Sequence, residues 1–227
     1  MLEIKHVNVY DLKESVIASG NAMRLEPAEY TDEEFEKGLK RMVRLVQASK
    51  NGEVKCHDNA LVGIRVSFDV TYPQYWTPEF QRYHFADIVT SSSKMHRLVK
   101  MDLDKSCNKY VSKDVIDYMN DYIELYNHLL EEKEQNSFVG HRFTLRDGTV
   151  IKCDNVDDAL YTCYMIIISN CPMGLELFMR VSTNYKQLQT IYHQRKHHKL
   201  KEDWGAFCKF IESLPYAKEL IIGEKEK

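Results

Sequence analysis

The sequence predicts a mixed α+β fold, because it contains a well-marked amphipathic helix, a strand that follows it directly, and a hairpin further along. The helix begins at a capping box, Thr31 to Glu34, and its apolar residues recur at helical spacing until a stop that ends at Gly52. Between Val62 and Thr71 apolar and polar residues alternate, which is the pattern of a strand with one buried face.

The remaining elements follow in chain order. A short helix is predicted where Thr77 supplies an N-cap and Pro78 the first helical position, and this helix would carry Arg82 near its start. In segment 141–154 two β-prone runs flank Asp147-Gly148, the strongest local hairpin signal in the chain. Further helices are predicted from apolar periodicity and their stop residues, over residues 114–135, 155–169, 184–198 and 201–213.

Size and composition bound the class of protein. The 227 residues favour one large domain, which we place at 1–227, and the net charge of -3 argues against a protein that binds nucleic acid or an anionic membrane through bulk electrostatics. The start has no signal-peptide pattern and no apolar run is long enough to cross a bilayer. Because the six cysteines form no C-x-x-C pair, we expect reduced thiols in a cytoplasmic protein.

Residues that suit an anionic ligand lie between Arg82 and Lys94. The segment reads R-Y-H, then seven residues, then Ser92, and the serine run that ends at Ser93 adds hydroxyls and backbone donors. An arginine near a helix N-terminus meets a phosphate with both its own charge and the free N-H groups of the helix. A polar turn between two helices explains the same residues without a ligand, so the segment alone leaves both interpretations open.

A second group of polar residues lies on the predicted helix that begins at Asn184. At about 100° per residue, the eleven steps from Asn184 to Arg195 bring the two side chains to within roughly 20° on the helix surface. One face of the helix could therefore touch two adjacent ligands. The alternative is a cationic last turn, Arg195 to Lys199, that complements the helix dipole.

Together these segments resemble the flavin-dependent thymidylate synthase family. Its signature R-H-R-x7-S corresponds to Arg82 and Ser92, and its late motif T-x-N-x-R-x-L-x-x-F-L-x-L-R corresponds to the segment 182–195. The same alignment places His57 and Asn59 at flavin-contacting positions of the family. The resemblance implies the family's fold, a sheet flanked by helices in one domain, with the 141–154 hairpin as an insertion and with active sites between the subunits of a homotetramer.

The resemblance also implies an activity, the reductive methylation of dUMP to dTMP. The cofactor would be FAD, with NADPH as the reductant and methylenetetrahydrofolate as the one-carbon donor. Arg195 would bind and polarise the pyrimidine as the catalytic residue, because a planar guanidinium supplies several donors and a fixed charge to a ring that becomes electron-rich. The other dUMP contacts would be Glu79, Ser92 and Lys94. The flavin contacts would be His57, Asn59, Arg82, Tyr83, His84, Asn184 and Thr190.

Departures from the family pattern leave two alternatives open. Tyr83 and His84 stand where the signature has histidine and arginine, and Ile168 stands where the family has a nucleotide-contacting arginine. One alternative is a different one-carbon transfer to a pyrimidine nucleotide. The other is a non-catalytic nucleotide-binding protein on the same scaffold.

Two further kinds of site were considered from the residues. His193 and His197 have the four-residue spacing of paired metal ligands, but the motif lacks an acidic residue and a third ligand, so a solvated His/Lys face is favoured and no metal site is predicted. A nucleophilic thiol at Cys171 is rejected because no base lies beside it in the sequence.

Overall fold

The computed structural model describes residues 2–53 and 57–223, and in these residues the chain forms six β-strands and nine α-helices. The strands are β1 (Glu3–Tyr10), β2 (Arg65–Pro73), β3 (Asp87–Ser91), β4 (His141–Thr144), β5 (Val150–Cys153) and β6 (Glu176–Asn184). The helices are α1 (Leu12–Ala18), α2 (Asp32–Lys50), α3 (Thr77–Phe80), α4 (Lys94–Arg97), α5 (Leu103–Ser106), α6 (Lys113–Gln135), α7 (Val156–Asn170), α8 (Tyr185–Arg195) and α9 (Lys201–Glu212). The predicted α+β class is confirmed.

The chain divides into two compact units. The first consists of residues 1–72, 76–91 and 178–227, and the second of residues 73–75 and 92–177. The single domain proposed for 1–227 stays a prediction. Within the described part of the chain, none of the helices combines the length and the apolar character that crossing a membrane requires.

A four-stranded sheet in the order β1-β2-β6-β3 organises the first unit, and both outer pairs, β1 with β2 and β3 with β6, are antiparallel. The alternation predicted for β2 is confirmed, because Val66, Phe68 and Val70 are buried while their neighbours are partly exposed. The strand begins at Arg65, later than predicted, because residues 59–62 form a 3-10 turn instead.

The buried face of the sheet packs against α9 through aromatic rings. Phe68 lies 4.8 Å from Phe210 and 5.8 Å from Phe207, measured between ring centroids. Trp76, which follows β2, lies 5.0 Å from Trp204 of α9, and neither indole ring is exposed. Large buried rings contribute much of the apolar area of a core, so α9 is held in a fixed position beside the short helix α3.

The second unit contains the long helix α6 packed against α7, together with the β4–β5 hairpin. Cys163 of α7 donates to the backbone oxygen of Tyr122 on α6 at 3.3 Å, so the two helices are in close contact. Asp147-Gly148 forms the hairpin turn as predicted, with Gly148 at φ 84°, a value that favours glycine. The predictions of α2, α6, α7, α9 and the hairpin are confirmed within one or two residues.

The prediction for the segment around Arg82 is wrong in its helix. Helix α3 is a single turn whose N-cap is Trp76, and it ends at Phe80. Arg82 lies beyond it, in a turn closed by the bond from the Tyr83 N-H to the Phe80 oxygen. The chain turns here because Phe80 and Tyr83 are both buried. Arg82 therefore has no helix N-terminus beside it.

Six elements were missed from the sequence: β1, α1, β3, α4, α5 and β6. The strand β3 occupies 87–91, so the serine run does not connect two helices. Outer strands such as β1 and β3 expose most of their residues, and their sequences lack the alternation that marks a half-buried strand.

Candidate functional site

Arg195, the last residue of α8, is held in one orientation by neighbours in the first unit. Its Nε donates to the Tyr83 hydroxyl at 2.6 Å and its Nη1 to Glu79 Oε2 at 2.9 Å. The guanidinium carbon lies 4.6 Å from the centroid of the Trp204 ring, within the range of a cation-π interaction. The side chain is only 15% exposed, so these contacts are made largely out of water.

Glu79 receives further donors on the same oxygen. The indole Nε1 of Trp204 lies 2.9 Å from Glu79 Oε2 and the Nε2 of His198 lies 3.3 Å from it. The backbone N-H of Leu200 donates to His198 Nδ1 at 3.2 Å, so Nε2 carries the ring proton and donates to the carboxylate. Glu79 thus links Arg195 to α9.

Tyr83 links Arg195 to the rest of α8. Its hydroxyl accepts from Arg195 and donates to Gln194 Oε1 at 3.1 Å. Burial raises the pKa of the Tyr83 hydroxyl, and the positive charge of Arg195 acts in the opposite direction. The phenol consequently stays protonated at neutral pH and keeps both hydrogen bonds.

A pocket of about 370 Å³ opens beside Arg195, and we call it the Arg195 pocket. Five residues predicted from the sequence line it: Arg82, Tyr83, His84, Thr190 and Arg195. The chain thus brings both motifs together, although more than 90 residues separate Arg82 from Thr190. Glu79 contacts Arg195 but does not line this pocket.

Three lining residues of the Arg195 pocket were missed: Phe85, Gln187 and Gln194. Gln187 and Gln194 are spaced seven apart on α8, with Thr190 between them, which is the spacing of one helix face. That periodicity was readable in the sequence. Gln187 Oε1 accepts from the backbone N-H of Phe85 at 3.3 Å, which fixes the orientation of its amide.

A second, polar pocket of about 300 Å³ lies on the same helix, and we call it the lysine pocket. Its lining residues are Ser49, Lys50, Lys186, Gln189, Thr190 and His193. Thr190 lines both pockets, so the two adjoin. Burial, together with the charges of Lys50 and Lys196, lowers the pKa of His193. Burial is the larger cause, and the two lysine charges act in the same direction.

The loop with the predicted flavin contacts His57 and Asn59 is joined to α8 by an ion pair. Asp58, which is fully buried, accepts from Lys186 Nζ at 2.5 Å. His57 and Asn59 themselves are exposed and line neither pocket. The ion pair places these two residues near the lysine pocket without a direct contact to it.

Asn184 has a different position from the predicted one. It is the N-cap of α8 with extended backbone angles, and its side-chain oxygen accepts from the Gln187 N-H at 2.9 Å. It is 2% exposed. Since Asn184 precedes the helix, the helical spacing to Arg195 does not apply, and the prediction that both lie on one helix face is wrong. Its flavin contact stays a prediction. In this structure Asn184 fixes where α8 begins.

Ser92 and Lys94 belong to the second unit. Lys94 Nζ donates to Gln74 Oε1 at 2.5 Å, and the Gln74 amide donates in turn to the Pro172 oxygen at 3.3 Å. Lys94 thus pairs with a neutral group and keeps a net positive charge at the start of α4.

The five cysteines in the described ranges are free thiols. Burial raises the pKa of Cys171, and it raises those of Cys107 and Cys208 to about 11. A nucleophilic cysteine needs a lowered pKa, so these thiols do not fit that chemistry. Within residues 2–53 and 57–223, no three His, Cys, Asp or Glu side chains are placed to hold a metal ion.

Solved structures of known proteins superpose on this chain and show which fold it has. A flavin-dependent thymidylate synthase from Helicobacter pylori, solved with FAD and dUMP, superposes with a TM-score of 0.61 at 16% identity, covering 99% of each chain. The chain has the fold of a flavin-dependent thymidylate synthase. A UMP/dUMP methylase from Streptomyces cacaoi, bound to 5-Br dUMP, superposes with a TM-score of 0.54 at 12% identity, covering 98% of this chain and 93% of the other. No family model and no curated protein matches the sequence.

Proposed function

We propose that this chain is a flavin-dependent thymidylate synthase that methylates dUMP to dTMP. The observation that supports this most strongly is the Arg195 pocket, where five residues predicted from the two motifs meet on a fold shared with enzymes solved with FAD and dUMP. Neither motif is complete on its own. Their meeting at one pocket supports the proposal, because the two segments lie far apart in the sequence.

Arg195 is the catalytic residue of this proposal. Its guanidinium is oriented before any ligand binds, since Glu79 and Tyr83 hold two of its nitrogens. A preorganised donor stabilises the negative charge that a ring carbonyl oxygen bears in the electron-rich, enolate-like form of the pyrimidine, whose C5 is the nucleophile. Ser92 and Lys94 are proposed as nucleotide contacts from the family resemblance alone, since both belong to the second unit. Glu79 acts through Arg195.

The residues present fit FAD as a cofactor. The lysine pocket offers two lysines and a histidine, with the charge of Lys186 partly offset by Asp58, and this set of donors suits a diphosphate. Arg82, His84 and Thr190 line the adjoining Arg195 pocket, and His57 and Asn59 stand on the neighbouring loop. A bound flavin supplies hydride chemistry that no amino-acid side chain provides.

NADPH and methylenetetrahydrofolate are proposed as the reductant and the one-carbon donor, and a homotetramer as the assembly. The exposed Tyr118, Tyr161 and Met165 on α6 and α7 support a protein contact in the second unit. A cytoplasmic location is part of the same proposal, and the free thiols of the described residues fit a reducing compartment. Light scattering of the purified protein tests the assembly.

The proposed activity is tested with the visible spectrum and with tritium release. Purified protein is expected to show a flavin band, or to acquire one when FAD is added, and to release tritium from 5-labelled dUMP when NADPH and methylenetetrahydrofolate are present. A colourless protein that takes up no FAD and releases no tritium contradicts the proposal.

One specific observation favours a second function, a different one-carbon transfer to a pyrimidine nucleotide. The departure at Tyr83 lies inside the Arg195 network, and one of the similar structures is a UMP/dUMP methylase. Calorimetry with dUMP, UMP and dCMP distinguishes the two functions. Exclusive preference for dUMP with dTMP formed supports thymidylate synthesis, whereas nucleotide binding without any turnover supports a non-catalytic protein.

A further inference from the structure

The contacts of Arg195 limit what its guanidinium can offer to a ligand. An arginine recognises a phosphate or a carboxylate best through two parallel N-H groups on one edge of the guanidinium plane. One such edge pairs Nε with Nη2, and the other pairs Nη1 with Nη2. In this structure the first edge has Nε bound to Tyr83 and the second has Nη1 bound to Glu79.

Nη2 is the nitrogen that remains. Among the described residues it has no hydrogen-bond partner, and Arg195 lines the Arg195 pocket. Each edge of the guanidinium therefore has one nitrogen already engaged. Nε has a single N-H, so a two-oxygen anion cannot use the first edge while Tyr83 is bound. On the second edge the negative charge of Glu79 beside Nη1 repels a further anion. A single carbonyl oxygen needs only Nη2.

The neighbours keep the plane of the guanidinium from rotating. Glu79 is itself bound by Trp204 and His198, and Tyr83 is bound by Gln194, so neither partner is free to follow a ligand. Trp204 also covers the guanidinium at 4.6 Å. Reorientation of Arg195 toward a phosphate would break charged hydrogen bonds in a mostly buried place.

We propose that Glu79 and Tyr83 are positioning residues that make Arg195 selective for a single ring carbonyl oxygen and against a two-oxygen anion. The inference rests on the proposed function, in which this pocket receives the ring of a pyrimidine nucleotide. It assigns to Tyr83 a role that depends on its hydroxyl, and to Glu79 a role that involves no substrate contact.

The test uses 2′-deoxyuridine, which carries the ring without a phosphate, and inorganic phosphate as a competitor. Because deoxyuridine has no phosphate, competition reports an anion at the ring position and not at a phosphate subsite. Calorimetry gives the apparent Kd of deoxyuridine with and without phosphate at constant ionic strength, in the full-length protein with FAD added.

The decisive variant is Tyr83→Phe, which keeps the ring and frees Nε beside Nη2. Phosphate is expected to weaken deoxyuridine binding less than about twofold in the wild type and about tenfold in Tyr83→Phe, since a two-point charged contact becomes available. Tyr192→Phe is the matched control, because it removes a hydroxyl from the same helix that bonds instead to Glu212 at 2.9 Å. This control should respond as the wild type does.

A second variant guards against misfolding of the first. Glu79→Gln removes the negative charge beside Nη1, although its amide oxygen can still accept the hydrogen bond, and should also show a gain in phosphate competition. The fold of both variants is checked by near-ultraviolet circular dichroism. Strong phosphate competition in the wild type, or no gain in either folded variant, overturns the selectivity. If the wild type binds dUMP but the variants gain nothing, this inference alone fails. If the wild type binds neither dUMP nor deoxyuridine, the proposed function fails and the inference with it.

Discussion

Replacement of Arg195 by lysine separates the charge of this residue from its planar geometry. Lysine keeps the positive charge but has one nitrogen in place of three. In the structure three separate groups use the guanidinium: Tyr83 at Nε, Glu79 at Nη1 and the Trp204 ring. A lysine ammonium that satisfies Glu79 leaves no fixed donor for a ligand in the Arg195 pocket.

The size of the effect follows from the loss of one preorganised donor. Removal of such a donor from the place where negative charge develops costs about 3 kcal/mol, which is roughly a 150-fold decrease in kcat/KM. Arg195 is 15% exposed and Glu79 29%, so little solvent screening reduces this value. The folded protein should also lose about 1 kcal/mol of stability through the lost cation-π contact.

The assay is the steady-state release of tritium from 5-labelled dUMP, with kcat and KM determined separately and thermal unfolding measured in parallel. The control is Lys196→Met, which removes a cation from the adjacent, exposed position. That variant should keep its kcat/KM within about twofold, because an exposed charge is largely screened.

Two results would refute this reasoning. A kcat/KM of Arg195→Lys close to that of the wild type would show that charge alone suffices and that the fixed plane is irrelevant. An increase in KM with unchanged kcat would show that Arg195 binds substrate and transition state equally. In that case it would no longer be the catalytic residue.

Other predictions concern the lysine pocket and its surroundings. Lys186→Met leaves the fully buried Asp58 without its cation and should lower the free energy of unfolding in urea by about 2 kcal/mol, less than for a completely buried pair because Lys186 is 37% exposed. Lys37→Met removes a largely exposed cation that pairs with Glu33 and Glu34 on α2, and it should change the free energy of unfolding by less than about 1 kcal/mol. The lowered pKa of His193 means that the folded protein binds its proton less tightly than the unfolded chain, so stability is fully present above the ordinary value of 6.5 and decreases as the pH falls below it. His193→Asn should flatten this acid-side decrease in urea unfolding, and an unchanged pH profile would contradict the assignment.

Capping residues and turn residues allowed the helices and the hairpin that they delimit to be predicted from the sequence. A capping threonine marked the start of α2, and the Asp147-Gly148 turn marked the hairpin. The edge strands could not be found in this way, because β1 and β3 have mostly exposed residues and are stabilised by pairing with β2 and β6. The hydrogen bonds between strands that are distant in the sequence do not depend on a local residue pattern, so the local sequence does not predict them.

In the candidate site, too, residues that belong to motifs were predicted, whereas residues that reach it through tertiary packing were not. Arg82 and Thr190 were identified from motifs and do line one pocket. The roles of Trp204 and His198 were not predicted, because both residues reach Glu79 from α9 and its preceding turn through tertiary packing. No spacing rule connects positions more than 100 residues apart. Asn184 was misplaced for the opposite reason, since the rule of helical spacing was applied to a residue that caps the helix.

The departures from the family signature now have a physical interpretation at Tyr83. In the sequence, Tyr83 replaces the histidine of the family signature, and this replacement alone suggests a lost or altered activity. In the structure its hydroxyl lies 2.6 Å from Arg195 Nε and 3.1 Å from Gln194, and it holds the residue that the proposed chemistry needs most. Tyr83 therefore orients Arg195 in the structure, and the phosphate competition of Tyr83→Phe measures how far its hydroxyl sets the ligand preference of that arginine.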